Sequence, residues 1–519
     1  MRLLYAQGIS FLPSAAMSDN SHGADAARRP SRRRLIGLPL GPLVFVALLA
    51  MPTPAGMEAE AWATAALAAF MAIWWITEAV PLAATALLPL VLVPITGIGD
   101  IDDAAEPYAS PVIFLFLGGF MLAQAVQRWN LHRRIALHLI RLIGTAPVQI
   151  VGGFMVASAF LSMWVSNTAT AVMMLPIGLS IIDLVMKRSG QKGEKAGDMN
   201  FAIALMLGIA YACSIGGAAT LIGTPPNALL AGFMADRYGF DVGFGQWMLI
   251  GVPLVLVMLP LTWWLLTSWI FPIKLEGITG GREMIAEEID GLGPASKGEK
   301  VVAVVFICTA LAWMSRPLLE DVVPGLTDAG IAIAAAIILF ALPIQISTGR
   351  FALDWQSAKG IPWSVLVLFG GGLSLAGAIS GTGLADWIGD SLAVVGAWPI
   401  VLMLIATTFV IIMITEVTSN TASAAAFLPV LAALAISIGQ DPLLLAVPAA
   451  LGASCAFMLP VATPPNAIVY GSSFIEIPHM VRAGIVLNIL FALAIPLICY
   501  ALLAVFFGVE VGTVPEWAR

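Results

Sequence analysis

Residues 147–186 read PVQIVGGFMVASAFLSMWVSNTATAVMMLPIGLSIIDLVM, an apolar run broken near its middle by Ser166-Asn167-Thr168. It is too long for one bilayer crossing, which takes about 20 helical residues. It is therefore either two full spans or a re-entrant hairpin whose polar tip reaches the membrane midplane. Residues 397–436 have the same form and break at Ser419-Asn420-Thr421. Polar, non-helical backbone survives at membrane depth only where it is buried in protein or lines a cavity, so the rest of the fold has to be arranged around these two segments.

The composition agrees with a membrane setting. Of 519 residues, 60% are hydrophobic and 11% charged, too little charge to cover a soluble protein of this size. The apolar blocks lack strand-like alternation, which excludes an outer-membrane barrel. Further helices are predicted at 35–54, 60–80, 82–97, 111–128, 200–236, 246–272, 300–316, 326–344, 361–382, 442–472 and 482–508. The expected fold is all-α and polytopic, with about 11 transmembrane helices plus two re-entrant hairpins. The basic residues form short clusters with no basic domain around them, so no nucleic-acid partner is expected. Cys213, Cys308, Cys455 and Cys499 lie in apolar segments and read as small buried hydrophobes. His22, His132, His138 and His479 are remote in sequence from the polar breaks, which leaves a histidine proton relay without support.

Charge sets the orientation. Arg28, Arg29, Arg32, Arg33 and Arg34 precede the first helix, which places the N-terminus in the cytoplasm. Counting forward, Asp100, Asp102, Asp103 and Glu106 fall outside and Arg128, Arg133, Arg134 and Arg141 inside. Both ends of 147–186 are then cytoplasmic and both ends of 397–436 external. Residues 1–34 are expected to be disordered, with Met17 an alternative start, and 35–58 to form the first transmembrane helix. A first repeat would cover 59–275, a cytoplasmic linker 276–299, a second repeat 300–508 and an external tail 509–519.

The repeat is visible in the motifs. Phe116-Leu117-Gly118-Gly119 returns as Phe369-Gly370-Gly371-Gly372, and Ser166-Asn167-Thr168-Ala169 as Ser419-Asn420-Thr421-Ala422, both 253 residues later. Gly223-Thr224-Pro225-Pro226-Asn227-Ala228 returns, in the same order along the chain, as Ala462-Thr463-Pro464-Pro465-Asn466-Ala467. The opposed orientation of the two halves is the inverted-repeat pattern of secondary transporters. The paired glycines read as close helix packing, with no strand before them to make a phosphate loop.

The chemistry of these motifs follows from backbone geometry. Pro-Pro cannot continue a helix, so helices 200–236 and 442–472 must break near 223–227 and 462–466, freeing carbonyls that suit a hard cation such as sodium. The Ser-Asn-Thr tips expose helix N-termini and hydroxyls that suit a carboxylate or other oxyanion. Neither motif holds arginine or lysine, and co-bound cations would neutralise a dianion in low dielectric. Ser162 and Thr415 each lie one turn before a tip, as cation ligands or as hydroxyls bonded back to their own helix. Glu78 and Glu416 are carboxylates in apolar surroundings and candidates for function. Glu416 would shape the second cation site, whereas Glu78 could equally be interfacial and structural.

At these residues the chain resembles the divalent anion/sodium symporter family of dicarboxylate, citrate and sulfate carriers. Trp75-Ile76-Thr77-Glu78-Ala79-Val80-Pro81-Leu82 resembles its early segment. Ser454 to Val469, with Phe457, Pro460, Ala462 and Asn466, resembles its C-terminal signature. The resemblance spans nearly everything from residue 36 onward. It implies a homodimer in a bacterial inner (plasma) membrane, with scaffold and elevator-type transport domains. It also implies two or more sodium ions and no organic cofactor. A first sodium site would use Ser162, Ser166, Asn167 and Gly223, and a second Thr415, Thr418, Asn420 and Ala462. Substrate would meet Ser166, Asn167, Thr168, Ser419, Asn420 and Thr421, with Thr224, Thr463 and Pro464 close by. Thr418 departs from the smaller residue that relatives often carry. The expected activity is sodium-coupled symport of C4-dicarboxylates (succinate, malate, fumarate), the alternative a sodium-independent exchanger or a sulfate carrier. An enzyme would need catalytic groups converging at depth, and none is found. A channel would need a continuous polar path, whereas the polar motifs are confined to one depth.

Overall fold

A computed structural model describes residues 32–144, 146–189, 195–275, 281–391 and 398–518. Most of the expected disordered N-terminus, His22 and residues 276–280 of the expected linker lie outside the described residues. Among the described residues the regular structure is helical apart from one small hairpin, Pro343–Gln345 against Arg350–Phe351. Among the described residues, nine helices are long and apolar enough to cross a membrane, and five more are apolar but shorter. Leu256, Val304 and Ile337 stand exposed on the outside, where only hydrocarbon makes apolar surface favourable. The protein is an all-α, polytopic membrane protein.

The first half runs through α1 (Arg32–Ala50), α2 (Ala59–Thr77), α3 (Leu88–Thr96), α4 (Pro111–Arg128) and α5 (Leu131–Ile143). Next come α6 (Pro147–Ser162) and α7 (Asn167–Ser189), the two arms of hairpin 1. Then follow α8 (Lys195–Gly217), α9 (Pro225–Tyr238) and α10 (Phe244–Trp264). The second half has α11 (Lys297–Met314), α12 (Asp328–Ala341) and α13 (Trp363–Gly381), then α14 (Ile400–Thr415) and α15 (Asn420–Ser437), the arms of hairpin 2. It closes with α16 (Pro442–Ala453), α17 (Pro464–Tyr470) and α18 (Ile477–Phe506). The first arms, α6 and α14, have 16 residues each, roughly 24 Å of helix and short of the ~30 Å hydrocarbon core.

Several expected elements are corrected. The helix expected at 82–97 is two pieces, Leu82–Thr85 and α3, joined at Ala86-Leu87. Pro89 has no N–H to give the Thr85 carbonyl, and the next carbonyl along, that of Ala86, accepts the Tyr108 hydroxyl. The first helix ends at Ala50 rather than 54, just before Pro52 and Pro54. The last begins at Ile477, five residues before the expected 482. Unexpected altogether is α5, an amphipathic helix that buries Leu131, Leu137 and Ile140 while Arg133 and Arg134 reach Glu288 and Glu299, each at 2.6 Å. Cys308 is exposed, unlike the other three cysteines. Glu78 is also exposed; it is the left-handed C-cap of α2, φ 49°.

The repeated glycines are approach points. A Cβ on Gly118 would fall 2.5 Å from the Ala332 backbone, and one on Gly371 2.1 Å from the Ala86 carbonyl oxygen. Beside them Phe116 and Phe369 meet edge to face at 5.0 Å. Hairpin 1 is seated on α8 in the same way: a Cβ on Gly216 would lie 2.2 Å from the Ala159 carbonyl oxygen, and the Thr220 hydroxyl donates to the Met163 carbonyl at 2.5 Å. The second arms cross over, α7 lying against α17 and α15 against α9. Each hairpin thus meets the half-helix that follows the other half's Pro-Pro.

Candidate substrate and cation site

Both broken helices unwind earlier than the prolines require. After α8 the chain leaves helix from residue 218 to 224, and after α16 from 454 to 463. The expected breaks near 223–227 and 462–466 are corrected accordingly. In the first, the Asn227 side-chain amide donates to the carbonyls of Gly217, Ala218 and Thr220 at 3.3, 3.4 and 2.9 Å. In the second, Asn466 donates to Ala456 and Leu459, both at 3.1 Å. The asparagine of each Thr-Pro-Pro-Asn therefore satisfies carbonyls that the lost helix turn leaves free. Gly217 and Gly223 touch so closely that a Cβ on Gly223 would lie 2.4 Å from the Gly217 oxygen.

The second break is longer because a buried carboxylate holds it. Glu416, 3% exposed, accepts the backbone N–H groups of Phe457, Met458 and Leu459 at 2.7, 2.9 and 3.1 Å. The Asn488 side chain of α18 also donates to it, at 2.6 Å. Sequence reasoning placed Glu416 beside the second cation site without its partners, which lie 41 to 43 and 72 residues away. An asparagine inside the apolar α18 was the available signal. Tyr211 of α8 donates to the Phe457 carbonyl at 2.7 Å, and Thr224 and Ser454 exchange a hydrogen bond at 3.1 Å. These two contacts tie the breaks together.

Each hairpin tip meets one break. In hairpin 1, the Asn167 side chain, at the start of α7, lies against the Ser162 hydroxyl. The same amide position is 3.2 Å from the Cys213 carbonyl oxygen and 3.2 Å from that of Gly223. With nitrogen turned inward, Asn167 donates to these carbonyls. With Oδ1 turned inward, four oxygens converge, the donor set of a hard cation. In hairpin 2, the Thr415 hydroxyl lies 2.7 Å from Asn420 Oδ1 and 2.9 Å from the Ala453 carbonyl oxygen. The carbonyls of Cys213 and Ala453 were missed because helical residues without polar side chains give no sequence signal.

The remaining candidates divide. Ser166 and Thr168 are exposed at tip 1, and the Ser166 hydroxyl caps α7 by accepting Ala169 N–H at 3.3 Å. Ser419 and Asn420 are half-buried, while Thr421 and Ala462 are buried. Thr463 caps α17, its hydroxyl accepting Asn466 N–H at 3.3 Å, and Pro464 is exposed. Thr418 corrects an expectation. Its hydroxyl is bonded to the Ile414 carbonyl at 2.9 Å and to Ser423 at 2.6 Å, and it faces an apolar cavity of about 300 Å³ with Ala422, Phe427 and Trp75. Neither of these bonds runs to Asn420 or to the Ala453 carbonyl. No arginine or lysine occurs in residues 158–170, 213–227, 411–423 or 451–466.

Residues 33–508 match the profile of the sodium:sulfate symporter transmembrane region. The chain belongs to the sodium:sulfate symporter family. It is a transporter and not an enzyme. This family member is 44% identical over 486 residues to the sodium-dependent dicarboxylate transporter SdcS of Staphylococcus aureus strain bovine RF122 / ET3-1, covering 93% of this chain and 94% of the relative. Its identity to SdcS of strain USA300 is 43% over the same share of each chain. Among solved structures, the Alcanivorax borkumensis YdaH transporter superposes with a TM-score of 0.53 at 14% identity, covering 92% of this chain and 97% of its own. The Neisseria gonorrhoeae MtrF structure gives 0.54 at 12% identity over 92% and 95%. These two likenesses concern the fold alone.

Proposed function

We propose that the protein is a sodium-coupled symporter of C4-dicarboxylates such as succinate, malate and fumarate, working in a bacterial inner (plasma) membrane. The observation that carries this reading is a pair of oxygen cages, at Ser162/Asn167 and Thr415/Asn420, in a site without cationic side chains. A dianion there needs counter-charge, and bound sodium supplies it without a fixed ammonium or guanidinium. The name of the SdcS relatives favours dicarboxylate over the sulfate of the family description.

The cation sites comprise Ser162, Ser166, Asn167 and Gly223, joined by the Cys213 carbonyl, and Thr415, Asn420 and Ala462, joined by the Ala453 carbonyl. Substrate carboxylates meet Asn167, Thr168, Asn420 and Thr421 at the two tips, with Thr224, Thr463 and Pro464 bordering. The N-terminus is cytoplasmic and the C-terminal tail external. Residues 59–275 and 300–508 are inverted repeats, and hairpin 1 opens to the cytoplasm. The unit is a homodimer in which the hairpins and broken helices move as an elevator against a scaffold.

The test is uptake of labelled succinate into proteoliposomes. An inward sodium gradient is expected to drive accumulation, and replacement of sodium by choline to reduce it to background. Equal uptake in the two salts, dependent on internal dicarboxylate, would establish an exchanger instead.

A further inference from the structure

A separate cavity of about 220 Å³ lies between the end of α4, the start of α5 and hairpin 1. Leu161, Val165, Ala169 and Thr170 form its hairpin wall, so it borders the Ser166–Thr168 tip on both sides along the chain. Gln127 and His132 close it from α4 and α5. Histidine, remote from the motifs in sequence, is thus next to one of them in space. Thr170 is 2% exposed, and its buried hydroxyl has no hydrogen-bond partner. A buried polar atom left in this way beside a cavity points to a ligand that supplies the missing bond.

The histidine ring has a defined polarity. Nδ1 lies 3.2 Å from the Val126 carbonyl oxygen, which can only accept, so Nδ1 carries the proton. Nε2 is then an acceptor in the neutral ring and becomes a donor in the imidazolium. Burial, and the Arg133 charge against the opposing Val126 hydrogen bond, hold the His132 pKa below its ordinary value. Three of the surrounding cations are paired, and Glu283, Glu287 and Asp290 of the helix Gly281–Gly291, with Lys297 and Lys300 of α11, complete, among the described residues, the charges on the elements packed against α5. Arg133 holds Glu288, Arg134 holds Glu299 and Arg128 holds Asp354, while α6 brings no charged side chain. The first amides of α5 add a positive helix end.

We propose that this cavity is a way-station for one carboxylate of an organic anion entering or leaving at hairpin 1, held by imidazolium His132, Thr170 and Gln127. Binding takes one proton from solution onto Nε2, and the anion leaves as that proton is lost. The inference rests on the proposed substrate class and on hairpin 1 facing the cytoplasm.

The experiment compares inverted with right-side-out membrane vesicles, using fumarate, whose carboxyls stay ionised across about pH 6 to 8, the range of histidine titration. In inverted vesicles the wild-type KM is expected to fall several-fold from about pH 8 to about pH 6 at the exposed cytoplasmic face. In right-side-out vesicles the same pH change at the exposed face should leave KM unmoved. His132→Gln should abolish the dependence and keep the high KM, His132→Lys should keep a low KM at both pH values, and Thr170→Val should raise KM at the low pH. A wild-type KM indifferent to cytoplasmic pH would overturn the proposal, as would a pH dependence that survives in His132→Gln or, should that variant fail to fold, a Thr170→Val variant whose KM at the low pH stays at the wild-type value. Sodium-driven uptake by wild type in right-side-out vesicles separates these outcomes from a failure of the symport reading itself.

Discussion

Asn167→Ala and Asn420→Ala are each expected to reduce sodium-driven succinate uptake to background while leaving a folded, monodisperse protein. Asn167 is the side chain through which tip 1 reaches an unwound helix, whereas tip 2 reaches one through Thr415, which Asn420 holds. Asn167 sits among Ser162, Cys213 and Gly223, and Asn420 beside Thr415, which also touches Ala453. Truncation removes one side-chain oxygen from each cage and, at tip 1, leaves the buried Ser162 hydroxyl without its partner, at about 1–3 kcal/mol. The half-buried tips contribute little to the core, so the loss falls on binding rather than folding. Asn→Asp separates the roles. It keeps the oxygen for a cation but adds a negative charge beside the dianion, so sodium binding should persist while succinate affinity collapses. Near-normal uptake by either alanine variant would refute the site assignment.

The second large effect concerns Glu416. Glu416→Ala strands three backbone amides and the Asn488 side chain in a site where the carboxylate now satisfies all four. At about 1–3 kcal/mol for each group that water cannot reach, the segment carrying Ala462 should lose its fixed course. We expect a marked drop in thermal stability and loss of sodium-dependent stabilisation. Glu416→Gln keeps an acceptor and the side-chain shape but removes the charge. A unit negative charge near a cation in a site of low effective dielectric attracts it, so apparent sodium affinity should fall tenfold or more in a protein that still folds. Wild-type sodium affinity in Glu416→Gln, measured alongside the melting temperature of both variants, would reduce Glu416 to a purely structural clasp.

Much of this fold was legible because its physics is local. Long apolar runs declare spans, Pro-Pro declares a break, and the return of Ser-Asn-Thr with Thr-Pro-Pro-Asn marks the two breaks as partners. Boundaries set by distant contacts were not legible. The break before Pro464 begins ten residues early because Glu416 reaches across to residues 457–459, and no local pattern announces that. Leu82–Thr96 reads as one helix until Tyr108 takes the Ala86 carbonyl. The site shows the same division. Asn167 and Asn420, inside the motifs, stand in the cages. Thr418 also looked like a ligand, yet its hydroxyl is spent on Ile414 and Ser423. The Cys213 and Ala453 carbonyls and the nearness of His132 to hairpin 1 depend on packing alone.

If sodium in the two cages is the counter-charge for the dianion, equilibrium binding of succinate to purified protein must depend on it. Binding linkage is reciprocal, so each ligand must tighten the other by the same factor, and a typical coupling of about 1–3 kcal/mol corresponds to roughly 5- to 150-fold. Succinate affinity is expected to fall by a factor in that range when sodium is replaced by choline at constant ionic strength. Ser162→Ala and Thr415→Val, which remove one cage oxygen each, should shift the sodium dependence to higher concentration more than they weaken succinate binding at saturating sodium. Equal succinate affinity in sodium and in choline would rule out sodium as the counter-charge.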